Sequence, residues 1–351
     1  MLQNESNYRV SLRDIAKELG ISHVSVSLAL RDSPRISKKR KQEVKEAAER
    51  MGYSPDPMLS ALANYRQQKD NQGIHSALAW INQWPDKDQL RQHKEFDAYW
   101  QGAQDAAAKL GFRLEEFRIT KDLSGERLLT IFKTRNIRGI LIPPHPDGID
   151  LKGFDWNQFS IVRFGYSVRQ SKVHLVTSEM VANAMLAYQN MRENGYQRIG
   201  LVAQESFDFN TRHNIRAGYK AAEDLQTPAD QQIPALFFKT DDFDETVNEL
   251  KQWIEKYQPD AILSSSPTVK DLLDQLKLKV PQDIGVAVTS ILDAHFDTGI
   301  DQNSNEIGRV AVSKLAGLIH ENETGLPQTI RRTAIAGTWV QGKSLPPQKV
   351  T

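Results

Sequence analysis

The sequence predicts an α/β protein in two parts, a small all-α helix-turn-helix head and a two-lobed body built on parallel sheets. Three observations lead there. Short helical periods separated by serine and glycine punctuation occupy the N-terminal stretch. Beyond it, apolar strand-like segments alternate with amphipathic helix-like ones, the pattern of parallel sheets covered by helices on both faces. Those strands fall into two groups, which implies two lobes with a ligand cleft at the strands' carboxyl ends.

At 351 residues and 39% apolar content, the chain allows two or three domains with substantial cores. It has no cysteine, which excludes a disulfide framework, a thiolate metal site and a cysteine nucleophile. The first eight residues are polar and no apolar run approaches membrane-spanning length, so no membrane association and a cytoplasmic location are expected. The net charge of +1 conceals an asymmetry: residues 1–69 carry 13 Lys+Arg against 8 Asp+Glu, a net of +5, and the remainder a net of −4. A basic head on a mildly acidic body points to a polyanion partner for the head alone.

In "SLRDIAKELG", Leu12, Ile15, Ala16 and Leu19 recur at helical spacing and Gly20 supplies a left-handed stop. Ser22 is placed to cap a second helix from His23 to about Leu30 that buries Val26 and Ala29 or Leu30. Two helices joined by a tight turn make a helix-turn-helix. A third helix starts at the Ser37 cap, turns Val44, Ala47, Ala48 and Met51 inward, and stops at Gly52. On pattern alone an ordinary helical hairpin fits as well. Lys38 to Lys41 place four cations at the start of that third helix, against the backbone dipole, which calls for an anionic partner. Next, Asp56 and Pro57 open a short apolar helix through Met58, Leu59 and Leu62, too short to be stable alone. It would pack on its copy in a dimer, fold when the head docks, or serve as a rigid interdomain helix. The polar run Gln67 to Gly73 reads as a linker.

From Val10 to Ala63, without a gap, this stretch resembles the head and hinge of the LacI/GalR family of bacterial transcription regulators. The features that carry the likeness are the N-terminal helix-turn-helix, Tyr-x-Pro after the third helix, and the hinge helix that follows. The resemblance implies a head at 8–55, a hinge helix at 56–66 and a linker at 67–74. It implies a homodimer on a palindromic operator in double-stranded DNA, each second helix in the major groove and the paired hinges wedging Leu62 into the minor groove. His23 and Val24 would face base edges. Ser22, Ser25, Ser27 and Ser37 would bind phosphates, with Leu12, Arg31, Arg35, Lys38 and Lys39 beside them. Among the four cations, Lys38 and Lys39 are favoured over Arg40 and Lys41. Leu28 stands where relatives commonly carry arginine, so the operator cannot be copied from them.

In the body, "SALAWINQW", "RLEEFRI", "IRGILIPP" and "FSIVRFGY" read as strands, with helices at "AYWQGAQDAAAKLGF" and "GERLLTIFKTRN". A second set has strands "RIGLVA", "PALFFK", "DAILSSS" and "IGVAVTS", with helices at "SEMVANAMLAYQNMRENG", "RHNIRAGYKAAEDL", "DETVNELKQWIEKY" and "TVKDLLDQLK". "YQRIGLV", "PDAILSSS", "KVPQDIGVAV" and "GIDQNSNEIGRVAVSKL" resemble segments of the same family's effector domain, which is similar to periplasmic sugar-binding proteins. This implies a periplasmic-binding-protein-like body at 75–340, with an N-lobe at about 75–165 and 303–331 and a C-lobe at about 176–300 and 332–340.

The resemblance also implies a small-molecule effector in the cleft, possible members being a sugar or sugar derivative. The family's ligand-binding aspartates are replaced: Ser266 and Pro267 stand at one position, Ser290 and Ile291 at another, and Ile215 replaces the usual arginine. The residues expected at the cleft are therefore Trp84, Trp100, Phe164 and Phe243 with Arg212, Arg216, Ser266 and Gln302. The aromatics also fit core packing, and a cleft without a ligand fits the same departures.

Enzyme readings find no support. The chain has no G-x-x-x-x-G-K-[ST], G-x-G-x-x-G, H-E-x-x-H or G-x-S-x-G, and its eight histidines are scattered with no pair at metal-ligand spacing. No catalytic residue, metal or cofactor is expected. The expected function is transcription regulation by a DNA-binding repressor, with a solute-binding protein as the alternative.

Overall fold

The structure is a computed structural model that describes residues 10–30, 33, 36–53, 76–86, 88–120, 123–146, 149, 153–168 and 172–348. The hinge and linker expected at 56–74, and with them Leu62, lie outside the described residues, as do Arg31 and Arg35. The chain divides into two compact units, Met1–Ile74 and His75–Thr351.

The first unit holds α1 (Leu12–Leu19), α2 (His23–Leu30) and α3 (Lys38–Arg50). Serine stands at each start. Asp14 accepts from the Ser11 amide at 2.8 Å, Ser22 Oγ accepts from the Ser25 amide at 3.1 Å, and Ser37 Oγ accepts from the Arg40 amide at 3.3 Å. Gly20 and Gly52 take φ of 63° and 67° where α1 and α3 end. Ile15, Val26, Ala29, Val44 and Ala47 are wholly buried and hold the three helices together.

In the second unit, β1 (Ala77–Asn82), β2 (Arg113–Arg118), β3 (Gly139–Ile142), β4 (Ser160–Phe164), β5 (His174–Ser178) and β11 (Arg332–Ile335) form one parallel sheet, ordered β11-β5-β4-β3-β1-β2. The other sheet joins β6 (Ile199–Gln204), β7 (Leu236–Phe238), β8 (Ala261–Ser264), β9 (Gly285–Val288), β10 (Gly299–Asp301) and β12 (Thr338–Val340), ordered β12-β10-β9-β8-β6-β7. Only its β10–β12 pair is antiparallel. Helices α4 (Gln89–Gln92), α5 (Lys94–Lys109) and α6 (Gly125–Thr134) follow the early strands. The second sheet is served by α7 (Met180–Glu193), α8 (Glu205–Asn210), α9 (Asn214–Gln226), α10 (Phe243–Tyr257) and α11 (Val269–Gln275), and α12 (Ser304–Glu321) returns to the first.

Covered sheet faces explain the continuous apolar runs. Along β1, Leu78 and Trp80 enter the core under α5 and α12, while Ala79 and Ile81 enter the opposite one with Leu128 and Phe132 of α6. Where α5 and α12 cross, glycines bring the backbones together: a Cβ on Gly308 would lie 2.1 Å from the Tyr99 carbonyl oxygen, and one on Gly102 1.9 Å from that of Asn305.

The lobe boundaries differ from those expected at 176 and 332. Strands β5 and β11 both belong to the first sheet, β11 pairing with β5 from Arg332–Leu175 to Ile335–Ser178. The chain therefore leaves that sheet after Ser178 and again after Ile335, because hydrogen-bond pairing continues to the strand ends. The third crossing runs from Asp301 to Ser304. Two asparagines tie the crossings together: Asn303 Nδ2 donates to Ala336 O at 2.9 Å, and Asn183 accepts from the Gly337 amide at 2.8 Å while donating to Ser178 Oγ at 2.8 Å.

Candidate nucleic-acid interface and interlobe cleft

On the head, α2 buries Val26 and Ala29 and turns its first residues outward: His23 is exposed, and Val24 is 53% exposed. Ser22 and Ser25 bond to each other at 2.9 Å beside them, and both offer short hydroxyls at the helix start. Ser27 and Leu28 are half-buried further along α2, and Leu12 is half-buried against the head core. The first turn of α3 contains no acidic residue, and Lys38, Lys39 and Arg40 are exposed along it. Within it Arg40 pairs with Glu43 at 2.8 Å, while Lys38 and Lys39 are exposed beside Ser37. Such an arrangement can take backbone phosphates at two helix starts with an apolar and an imidazole side chain between them.

In the body, the carboxyl ends of both sheets define the cleft. Three of the expected aromatic contacts prove to be core. Trp84 donates its indole N–H to Pro144 O at 2.9 Å and packs on His93 at 5.4 Å. Trp100 meets Trp80 edge-on at 5.3 Å, with the Arg91 guanidinium 5.0 Å from its ring. Phe164, wholly buried, stacks on Tyr99 at 5.3 Å. All three rings belong to one core cluster of the first lobe. Arg216 is likewise committed within its lobe, 2.6 Å from Asp208 and 3.8 Å over the Phe237 ring. His213 shares the same carboxylate at 2.6 Å.

The remaining cleft candidates divide differently. Phe243 is exposed at the start of α10. Ser266 is buried and bonds to Thr268 at 3.0 Å, and Gln302 donates to Thr289 O at 3.0 Å. Gln302 lines a small pocket with Ser178, Asn183, Ile215, Thr289 and Ile300. Arg212 reaches across the lobes, its guanidinium 5.7 Å from the Tyr166 ring. The buried His145 accepts from the Gln83 amide at 2.9 Å, and burial lowers its pKa to about 4, which keeps it neutral.

Residues 11–56 match the family described as bacterial regulatory proteins, lacI family, and residues 188–345 match a periplasmic binding protein-like domain. The chain joins a lacI-family helix-turn-helix head to a periplasmic-binding-protein-like domain. It is 41% identical over 54 residues to the probable HTH-type transcriptional repressor ExuR of Bacillus subtilis (strain 168), a match that spans 15% of this chain and 16% of that protein. The HTH-type transcriptional regulator KdgR of the same organism is 20% identical over 348 residues, covering 95% of this chain and 98% of that one. Among solved structures, the transcriptional regulator CelR–cellobiose complex superposes with a TM-score of 0.58 at 18% identity, covering 96% of this chain and all (100%) of that one. The lac repressor dimer bound to operator and the anti-inducer ONPF gives 0.55 at 18% identity, covering 97% and 100%. Among the described residues, no helix is long and apolar enough to cross a membrane.

The body also carries an interlobe clamp that the sequence does not reveal. Asp293, in the loop after β9, accepts from the Lys94 amide at 2.7 Å and from the Glu95 amide at 3.4 Å, seating a carboxylate on the start of α5. Glu95 itself is buried and accepts from the hydroxyls of Ser290 and Ser304. Burial raises the Glu95 pKa above 4.5, the two serine hydrogen bonds oppose that rise, and Asp293 and Asp301 add to it. A carboxyl raised in the folded state contributes stability at low pH that is lost as pH rises through its folded pKa. Glu95→Gln, which keeps an acceptor without charge, is expected to raise the melting temperature near neutral pH by roughly 2 °C and to flatten its decline with pH. Melting curves from acidic to neutral pH check this, and an unchanged slope would remove Glu95 as its source.

Proposed function

We propose that this LacI-family regulator acts in the cytoplasm as a repressor, binding a palindromic operator as a homodimer, with a small molecule in the cleft setting its DNA affinity. The observation that carries the reading is the head's outward surface: His23 and Val24 at the start of α2, flanked by Ser22 and Ser25 and by the Ser37–Lys38–Lys39 patch on α3. In this reading α2 enters the major groove. The short hydroxyls and lysines set its register on phosphates, and His23 and Val24 meet base edges. Leu62 is the minor-groove wedge of the hinge. Support for repression comes from the 41% identity of the head to the probable repressor ExuR. Support for a dimer on an operator comes from the likeness to the operator-bound lac repressor dimer.

A ligand changes such an equilibrium only through different affinities for two arrangements of the lobes. The three crossings tied by Asn183 and Asn303 provide a natural pivot, and the Glu95–Asp293 clamp sets one arrangement. Testing starts with selection of bound genomic fragments, followed by titration of the selected palindrome at two salt concentrations. Affinity is expected to fall by about 10³-fold or more between 50 and 200 mM salt, as for proteins with many phosphate contacts. Equal affinity for the palindrome and a scrambled duplex would overturn the reading.

A further inference from the structure

We propose that the cleft takes an anionic ligand, with Arg163 and Arg212 meeting across the lobes beside Tyr166 as the subsite for its carboxylate or phosphate. The proposal rests on the ligand-controlled reading above and specifies the chemistry of the ligand. Arg163 stands near the carboxyl end of β4, a strand buried along its whole length, and is only 3% exposed. Its Nη1 donates to the Gly165 carbonyl at 2.6 Å, but its Nε is buried with no hydrogen-bond partner. A guanidinium keeps its charge at neutral pH and presents a planar fork of donors suited to an oxyanion.

Among the described residues, no carboxylate pairs with that charge. Burial lowers the Arg163 pKa to about 10, the cations Arg212 and Arg332 add to that and Tyr166 opposes it, which leaves the group charged well above neutrality. Arg332 on β11 sits in the same row of the sheet, since Leu175 pairs with both Arg163 and Arg332. Arg216 provides the contrast within the neighbouring helix: its partly exposed guanidinium is paired with Asp208 at 2.6 Å. An unpaired buried cation is expensive unless something else completes it.

Position turns this into a ligand site. Arg163 comes from the first lobe and Arg212 from the turn between α8 and α9 in the second; the Arg212 guanidinium lies 5.7 Å from the ring of Tyr166, which follows β4, and both groups act electrostatically on Arg163. With the cleft empty, the two cations repel each other across the lobes. An oxyanion between them reverses the sign of that interaction and favours the closed arrangement. Ligand charge would thereby become lobe closure, which is the differential affinity that control of DNA binding requires.

The full-length chain, free of DNA, tests this by thermal melting at constant ionic strength. The probes are inorganic phosphate, gluconate and glucose 6-phosphate, each against chloride and neutral glucose. For the natural chain, at least one anion is expected to raise the melting temperature by several degrees, with glucose without effect. Arg163→Met and Arg212→Met should each abolish the rise, and Arg163→Met should melt no lower than the natural chain in chloride. The idea is overturned if no anion shifts the natural chain, or if Arg163→Met melts lower in chloride and still responds to the anion. Operator titration is scored separately. Palindrome preference without an anion response leaves the regulator reading standing and removes the subsite, whereas the reverse result does the opposite.

Discussion

Gly308→Ala is expected to destabilise the first lobe by about 3 kcal/mol or more, lowering the melting temperature by roughly 6–12 °C. The new Cβ would fall 2.1 Å from the Tyr99 carbonyl oxygen, and the obstacle is backbone in the middle of α5, not the movable tip of a side chain. The helices can separate only by opening the core beneath them, where Leu78, Trp80, Val312 and Leu315 are packed. Gly102→Ala, which meets Asn305 from the opposite side at 1.9 Å, is expected to do the same. The crossing also positions Ser304 against Glu95, so moderate separation would weaken the interlobe clamp before the lobe unfolds. Thermal melting of the full chain checks the effect, and a change within about 1 °C would show that α12 can shift along α5 at little expense.

Val26→Asp is expected to unfold the head and abolish palindrome binding while leaving the melting transition of the body in place. Val26 is wholly buried among Ile15, Ala29, Val44 and Ala47, and none of these can hydrogen-bond a carboxylate. Burying that charge costs about 3–5 kcal/mol, comparable to the stability a core this small can supply. The neighbouring Val24, 53% exposed, gives the control: Val24→Ala should keep the fold and alter DNA binding only. Helical content, the body transition and operator affinity are measured together. Retained palindrome preference in Val26→Asp would remove the head from its role as reader, and a lost body transition would show that the two units fold as one.

The two variants also separate what local chemistry shows from what it conceals. The head's helix limits were legible because capping serines, left-handed glycines and apolar spacing act within a few residues of one another. The alternation of the body was legible because strands covered on both faces must be apolar throughout. The cleft was not. Trp84, Trp100 and Phe164 were expected at the ligand because a ring near a strand end has the same composition whether it faces a ligand or a core. Glu95 had no distinguishing mark among the other polar residues in the first turn of its helix. Arg163 did have one, a lone cation inside the apolar run "FSIVRFGY", and a scan for charges within buried strands would have found it.

By itself, then, the sequence determined the helix-turn-helix head, its helix limits and the two-lobed α/β character of the body, all of which depend on near neighbours and periodicity. Tertiary structure alone decided which strands close each sheet, which rings are core, and which charges are buried with or without partners. The physical reason is separation along the chain. Glu95 meets Ser290 across 195 residues and Ser304 across 209. Arg163 and Arg212 come together only where the two lobes meet, and no local pattern encodes a partner that folding alone supplies.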